Sequence, residues 1–292
     1  MNYFGMVTTA GSGRYTQYAL KTFFEFTALG PEDRFILIDN DSTFDLAACP
    51  YPVHLVRNIS PLGFAQNANQ AIDLALSAAA DLYFLNNDLI FTPNWLDPLL
   101  TASPAILSPV TNREARYDLE IFKTEMQMSL DDYLGKESNL YQLASIHSQC
   151  TSGTLRVTTL PFCCVKLPLE VMRAVGHFDD SFGKGGAEDY DYCLRAYLAG
   201  YTVEYALKSF ILHFGGKSSW SGVETKEVQL ARESHFRIQF GAKWGKALML
   251  MLLFEDRSII PEGSDLHKQI IAGNHRAVVE ALMEDKEIPV KI

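Results

Sequence analysis

Short apolar runs that end in polar residues alternate along this chain with longer stretches whose apolar residues recur at helical spacing. Residues 3–8 predict a first strand, which runs into the small-residue loop Thr9-Ala10-Gly11-Ser12-Gly13. A helix over residues 15–29 follows, stopped by Gly30-Pro31. Arg34–Asp39 and Val53–Arg57 predict two more strands, residues 63–80 an alanine-rich helix, and residues 82–85 a fourth strand that ends in Asn86-Asn87-Asp88. Strands alternating with helices imply a parallel sheet covered on both faces, with ligands bound where the carboxyl ends of the strands meet the loops. Polar residues cluster at those ends.

The pattern changes after the fourth strand. Residues 111–160 hold scattered acidic and amide residues and a helix over about 130–146, and an insert of this length between core elements is assigned to acceptor recognition. Gly183, Gly185 and Gly186 then precede Glu188-Asp189-Tyr190-Asp191, and Tyr190, Leu194, Tyr197 and Leu198 recur at helical spacing. A helix that begins near Glu188 buries this stripe and leaves carboxylates in its first turn, at the edge of a cleft. Asp191 and Arg195 form an i,i+4 pair. An apolar strand ends at His213, followed by the basic loop Gly215-Gly216-Lys217-Ser218-Ser219, helices over 223–240 and 244–254, and a charged helical tail.

Composition narrows the class. With 292 residues and 48% hydrophobic content, the chain buries a large core without disulfide staples. Its five cysteines are odd in number and form no C-x-x-C pair, which fits reduced thiols in the cytoplasm. A formal charge of -10 argues against wrapping a nucleic-acid polymer but leaves room for a phosphorylated ligand neutralised by a metal. No leader-like segment opens the sequence, and no stretch approaches the length of a membrane span. Lys243, Trp244 and Lys246 lead an apolar helix that reads as core packing, so contact with a membrane is expected to be peripheral at most.

Three constellations carry chemistry. Asn86-Asn87-Asp88 places a carboxylate and amide oxygens at a strand end, a fit for a hard divalent cation and also for a plain turn. Asp39-Asn40-Asp41 offers a carboxylate to a ribose or base, with the same turn alternative. His213 beside apolar residues reads by itself as a packed core histidine, yet the glycine-rich basic loop after it suits a diphosphate. An imidazole joined to a carboxylate makes a site for Mn²⁺ or Mg²⁺.

The ordered set Ile38-Asp39-Asn40-Asp41-Ser42, Arg57-Asn58 with Gly63-Phe64-Ala65 and Asn69, Leu85-Asn86-Asn87-Asp88, Gly176-His177-Phe178-Asp179, Glu188-Asp189-Tyr190-Asp191, Arg195, Gly200-Tyr201 and His213 resembles the glycosyltransferase family 2 enzymes, especially their rhamnosyltransferase-like branch, which builds bacterial surface polysaccharides. The resemblance spans residues 1–220. It implies an α/β GT-A fold, with a Rossmann-like, mostly parallel central sheet flanked by helices. Residues 1–110 would be the nucleotide-binding half, 111–220 the acceptor-binding and catalytic half, and 221–292 a C-terminal helical extension.

The same resemblance implies an inverting transfer of a sugar from a UDP- or dTDP-sugar to a glycan or lipid-linked hydroxyl. Asp189 would be the base with Glu188 its competitor, and Asp88 and His213 would hold Mn²⁺ or Mg²⁺. Thr8, Thr9, Ala10, Asp39, Asn58, Gly63, Asn69, Asn87 and Lys217 would contact the donor. Thr8-Thr9-Ala10 stands where the family has a Tyr-Asn or similar pair, Asp41 where it has glycine, and Asn86 and Asn87 replace two acids of the metal motif. The competing classes are a non-catalytic nucleotide-sugar or glycan-binding module and a nucleotidyltransferase. A binding module needs no base, and Gly11-Ser12-Gly13-Arg14 is only a faint triphosphate loop. Oligomerisation is left open.

Overall fold

The strands lie in one mixed sheet. The structure is a computed structural model that describes residues 1–101, 103–217 and 224–283. The chain opens with β1 (Asn2–Thr8), α1 (Gly13–Phe26), β2 (Arg34–Asp39), β3 (Val53–Arg57), α2 (Phe64–Ser77) and β4 (Asp81–Leu85). Next come β5 (Leu89–Ile90), β6 (Ile106–Thr111), α3 (Leu130–Tyr133), α4 (Glu137–Cys150), β7 (Thr154–Arg156), β8 (Cys164–Leu167) and α5 (Leu169–Val175). The rest is α6 (Glu188–Leu198), β9 (Val203–His213), α7 (Lys226–Trp244), α8 (Lys246–Leu253), α9 (Asp265–Ile271) and α10 (His275–Met283).

Strand order is β3-β2-β1-β4-β8-β6-β9-β5, with β7 paired to β9. β1 to β4 run parallel, β8 is antiparallel to both β4 and β6, and β6 is parallel to β9. Side chains alternate across the sheet. Phe35 and Leu37 pack with Phe4, Leu20 and Phe23 of the α1 layer, while Ile36 and Ile38 pack with Ala68, Ala71 and Ile72 of α2. The alanine content of α2 has a packing reason, since a Cβ at Gly5 of β1 would lie 3.0 Å from the Ala71 Cβ. Small residues on both sides let helix and strand approach closely.

Several elements depart from the sequence pattern. The helix expected over 130–146 is split into α3 and α4 at Gly135, whose φ of 79° suits glycine and breaks an L-residue helix. Gly245, at φ 90°, likewise separates α7 from α8. The expected start at Val223, Ser218 and Ser219 of the basic loop, and the tail beyond residue 283 lie outside the described residues. α6 is not amphipathic in the simple sense. Tyr192, Cys193 and Ala196 join the core over α2, whereas Leu194, with Tyr190 and Leu198 beside it, packs on Phe240, Trp244 and Leu248 of α7 and α8 and on Val278 of α10. The C-terminal helices thus cover the face that the stripe would otherwise expose. α8 packs within this cluster, as expected of a core helix, and no described helix is long and apolar enough to cross a membrane.

Candidate functional site

Residues at four strand ends converge through hydrogen bonds that the sequence alone does not display. β5 pairs antiparallel with β9 so that Leu89 lies opposite His213, which brings Asp88 beside the imidazole: Asp88 Oδ1 and His213 Nε2 are 3.3 Å apart. Gly215 and Gly216, at φ 70° and 65°, turn the chain back so that the Lys217 backbone N–H donates to Asp88 Oδ2 at 3.0 Å. Asn112, just beyond β6, accepts the His213 backbone N–H at 2.8 Å and donates to the Glu125 carbonyl at 2.7 Å. Burial opposes charge on both Asp88 and His213, but each supports the other's charged form. Asp88 is held below its ordinary value by His213 and the Lys217 N–H, and His213, beside Cys163 and Asp88, is lifted well above its own.

A cation fits this pair. Asp88 Oδ1, His213 Nε2 and Asn87 Oδ1 are buried and, apart from the 3.3 Å contact between the first two, have no partner among the described residues; a cation in place of the proton on His213 Nε2 would satisfy all three. The Asn87 amide is fixed by donating to Ser12 Oγ at 2.8 Å and Thr16 Oγ1 at 2.9 Å, at the head of α1. Carboxylate oxygen and imidazole nitrogen suit Mn²⁺ or Mg²⁺. No cluster of three or more His, Cys, Asp or Glu residues completes a cage among the described residues.

The second pole of the site is the junction into α6. Gly185, Gly186 and Ala187 all have positive φ, at 154°, 135° and 66°, and Ala187 stores strain there as a non-glycine residue. α7 clamps this loop: a Cβ at Gly186 would lie 2.3 Å from the Phe236 ring, and Arg232 donates to the Gly185 carbonyl at 3.1 Å. Glu188 is buried and folds back to accept the Gly186 N–H. Asp189 is half-buried and accepts from the Tyr190 N–H at 2.8 Å and more weakly from the Phe162 N–H at 3.4 Å. Burial raises both carboxyls above the carboxylate range, and the charge of Asp189 raises Glu188 further. Of the two, Asp189 is the more exposed.

Raised carboxyls make the fold weaker as pH rises. In the window between an ordinary carboxylate value and the raised one, the folded state binds more protons than the unfolded state, so stability falls as pH rises through it. Glu188→Gln removes the buried charge and is expected to raise the melting temperature by a few degrees at pH 8 and to leave it unchanged near pH 4, below the window. Equal melting temperatures for the variant and the parent chain at both pH values would show that Glu188 is not desolvated.

The other donor-side candidates divide into those at the cleft and those beneath it. Thr9, Ala10, Asn40, Asp41 and Gly63 face Asp180, Lys184 and Val228 across a cavity of about 750 Å³. A second cavity of about 670 Å³, between α1 and the β2–β3 connection, is lined by Thr8 and shares Thr9 and Ala10, and the Ala10 N–H donates to Asp41 between the two. Thr8 is buried against Thr16, their hydroxyls 2.8 Å apart. The Asp39 carboxylate is fully buried and already accepts from the Thr43 and Phe44 N–H groups and from Arg57. It shapes the loop after β2 and keeps little capacity for a nucleoside.

Asn58 and Asn69 are engaged by the protein more fully still. The Asn58 amide donates to Asn40 and Asn67 and accepts from Gln70, which uses it in a buried amide network. Asn69 bonds both the N–H and the carbonyl of Phe178 and so ties α2 to the loop before α6. Gly63 is needed for chain against chain: a Cβ there would lie 2.9 Å from the Gly183 carbonyl oxygen. The Lys217 contact described above is made by its backbone.

No family profile and no curated protein sequence matches this chain. Solved structures do. GalNAc-T7 with UDP, GalNAc and Mn²⁺ superposes with a TM-score of 0.57 at 13% identity, covering 94% of this chain and 55% of that one. The fold is that of the GT-A glycosyltransferases. S. aureus TarS (1–349) gives a TM-score of 0.47 at 14% identity over 97% of this chain and 92% of its own. Mannosyltransferase PcManGT from Pyrobaculum calidifontis, in complex with GDP-Man and Mn²⁺, gives 0.47 at 11% over 98% and 86%. This chain spans about half the length of GalNAc-T7.

On this GT-A sheet three groups that contact the candidate site residues escaped the sequence reading. Asn112 ends an apolar strand, the same signature that singled out Asn87 and Asp88, and could have been found by it. Phe162 and Arg232 carry no such signal, because only tertiary contacts bring them to the α6 junction. Lys243, at the head of the helix read as core packing, is committed inside the protein. Its ammonium pairs with Asp179 and, at 2.7 Å, with Asp191, which also accepts from Arg195 and the Trp244 indole at 2.8 Å each. Lys243→Met is expected to cost about 2 kcal/mol, the scale of hydrogen bonds to charged groups, because Asp179 and the buried Asp191 lose a shared cation. Urea unfolding measures this, and an unchanged midpoint would contradict the network.

Proposed function

We propose that this chain is a metal-dependent, inverting glycosyltransferase of the family 2 type, moving a sugar from a UDP- or dTDP-sugar to a hydroxyl on a glycan or lipid-linked acceptor. The observation that carries the reading is the buried Asp88–His213 pair between the start of β5 and the carboxyl end of β9, with a second, raised-pKa carboxylate at the head of α6. Asp88 and His213 would hold Mn²⁺ or Mg²⁺, which when bound supplies positive charge to the leaving diphosphate. The Gly215-Gly216-Lys217 turn offers backbone N–H groups and a lysine to the same phosphates. Asp189 accepts the proton of the incoming hydroxyl, and its raised pKa makes it a stronger base than an exposed aspartate. Arg232 and Phe236, gripping the glycine loop, hold the head of α6 in place for that step.

Residues 1–220 would form the catalytic domain and 221–292 an extension that braces α6. The rhamnosyltransferase-like branch and a place in surface polysaccharide synthesis, at the inner face of a cell membrane, complete the reading. A thermal-shift screen of UDP-, dTDP- and GDP-sugars with and without Mn²⁺ tests it. Stabilisation by one nucleotide class that requires Mn²⁺ supports the reading, and no stabilisation by any of them counts against it.

A further inference from the structure

Asn112 is fully buried just past the end of β6, and both polar atoms of its amide are engaged inside the protein. β6 pairs parallel with β9 as far as Thr111, opposite Ile211. There the chain turns away, because the Thr111 carbonyl accepts the Glu114 and Ala115 N–H groups at 3.1 and 2.9 Å. β9 runs on to His213, whose N–H faces the side that β6 has left. Asn112 Oδ1 takes that N–H at 2.8 Å and stands in for the backbone carbonyl that a longer β6 would offer. Asn112 Nδ2 donates to the Glu125 carbonyl at 2.7 Å, which sets the amide so that its oxygen, and not its nitrogen, meets His213.

The strand that carries His213 is anchored along its length. The β6–β9 register jumps from Pro109 and Ala206 to Val110 and Phe210, so Leu207, Lys208 and Ser209 bulge past β6. The Leu207 carbonyl accepts from His147 Nε2 at 2.7 Å and from Thr151 Oγ1 at 2.9 Å, and the Ser209 hydroxyl donates to the Trp95 carbonyl at 2.5 Å. On the β5 side, the Phe214 N–H donates to the Asp88 carbonyl at 3.0 Å. Asn112 is the side chain that holds His213 from the β6 side, at the residue itself.

We propose that Asn112 is the positioning residue of the candidate metal pole, setting the end of β9 so that His213 Nε2 stays within reach of a divalent cation held by Asp88. The inference rests on the metal-binding part of the reading above. Full burial and two engaged polar atoms leave Asn112 no role of its own toward substrate, so its effect passes through His213. Without the amide oxygen the His213 N–H loses its acceptor, and the strand end must move to find another. Metal–ligand distances tolerate only about 0.2 Å, so a small shift of the strand end removes the imidazole as a ligand.

The test is a double-mutant cycle on the full chain, with Mn²⁺ alone as the probe and its affinity read by calorimetry. Asn112→Ala is expected to weaken Mn²⁺ binding about ten-fold in the parent chain and to have no further effect in His213→Ala, because the route runs through the imidazole. Equal losses in the two backgrounds overturn the inference, since a general structural role does not depend on His213. Asn112→Asp keeps an oxygen for the His213 N–H and loses the donation to Glu125. It should therefore melt below the parent chain yet bind Mn²⁺ no more weakly. A loss of Mn²⁺ affinity in Asn112→Asp also overturns the inference, and this variant decides the matter if Asn112→Ala does not fold. A parent chain that binds no Mn²⁺ overturns the metal reading itself, an outcome visible before any variant is made.

Discussion

Asp189→Asn is expected to lower sugar transfer by about 10²–10⁴-fold while leaving nucleotide affinity nearly unchanged. The asymmetry follows from where the carboxylate sits. Asp189 is at the head of α6 and bonds only backbone N–H groups, at Tyr190 and Phe162, whereas the metal pair lies at the ends of β5 and β9. An asparagine keeps the shape and one acceptor oxygen but cannot take a proton, so the loss is confined to the transition state. Because burial raises the Asp189 carboxyl, the parent chain should lose activity as pH falls through a range above that of ordinary aspartates. Initial rates across pH, at saturating donor, measure both effects. Near-normal transfer by Asp189→Asn, together with loss in Glu188→Gln, would move the base to Glu188.

Asp88→Ala is expected to weaken metal and nucleoside diphosphate binding together, by about 10–100-fold. Two contacts fail at once. The cation loses its only fully buried carboxylate, and the Lys217 N–H loses the acceptor that folds the Gly215-Gly216 turn over the site. Asp88→Asn separates them, since an amide oxygen can still accept from Lys217 while the charge is gone. His213→Ala should be milder, because Asp88 keeps both oxygens and the Lys217 bond. Calorimetry with UDP or dTDP, with and without Mn²⁺, reads these affinities. If a chelator leaves the parent chain's transfer intact, the cation has no part in the reaction and the Lys217 loop must carry the phosphate charge.

The first half of the sheet was legible because its parallel strands read as short apolar runs with polar ends. Arg34–Asp39, Val53–Arg57 and the Asn87-Asp88 turn stand where their pattern placed them. The buried partners of Asn58 and Asn69 were not legible, for a general reason. A polar residue beside a cleft and a polar residue holding the cleft's wall have the same one-letter pattern, and only their partners, Asn40 and Gln70 for one and Phe178 for the other, tell them apart. The pairing of Asp88 with His213 depends on an antiparallel two-residue strand far from β9 in sequence, a contact no local periodicity encodes. The same holds for α7, whose Phe236, Arg232 and Lys243 reach the loops around α6 from beyond the catalytic motifs.

The central claim is that a glycosidic bond to a nucleoside diphosphate is broken in this cleft, and product analysis addresses it directly. The full chain is incubated with Mn²⁺, a pool of nucleotide sugars, a matching pool of nucleoside triphosphates with sugar phosphates, and a mixture of glycan acceptors, and the released nucleotide is identified by mass. The account predicts free nucleoside diphosphate, dependent on Mn²⁺ and strongly reduced in Asp189→Asn. Release of pyrophosphate instead, or release of neither while the nucleotide sugar binds, would contradict it.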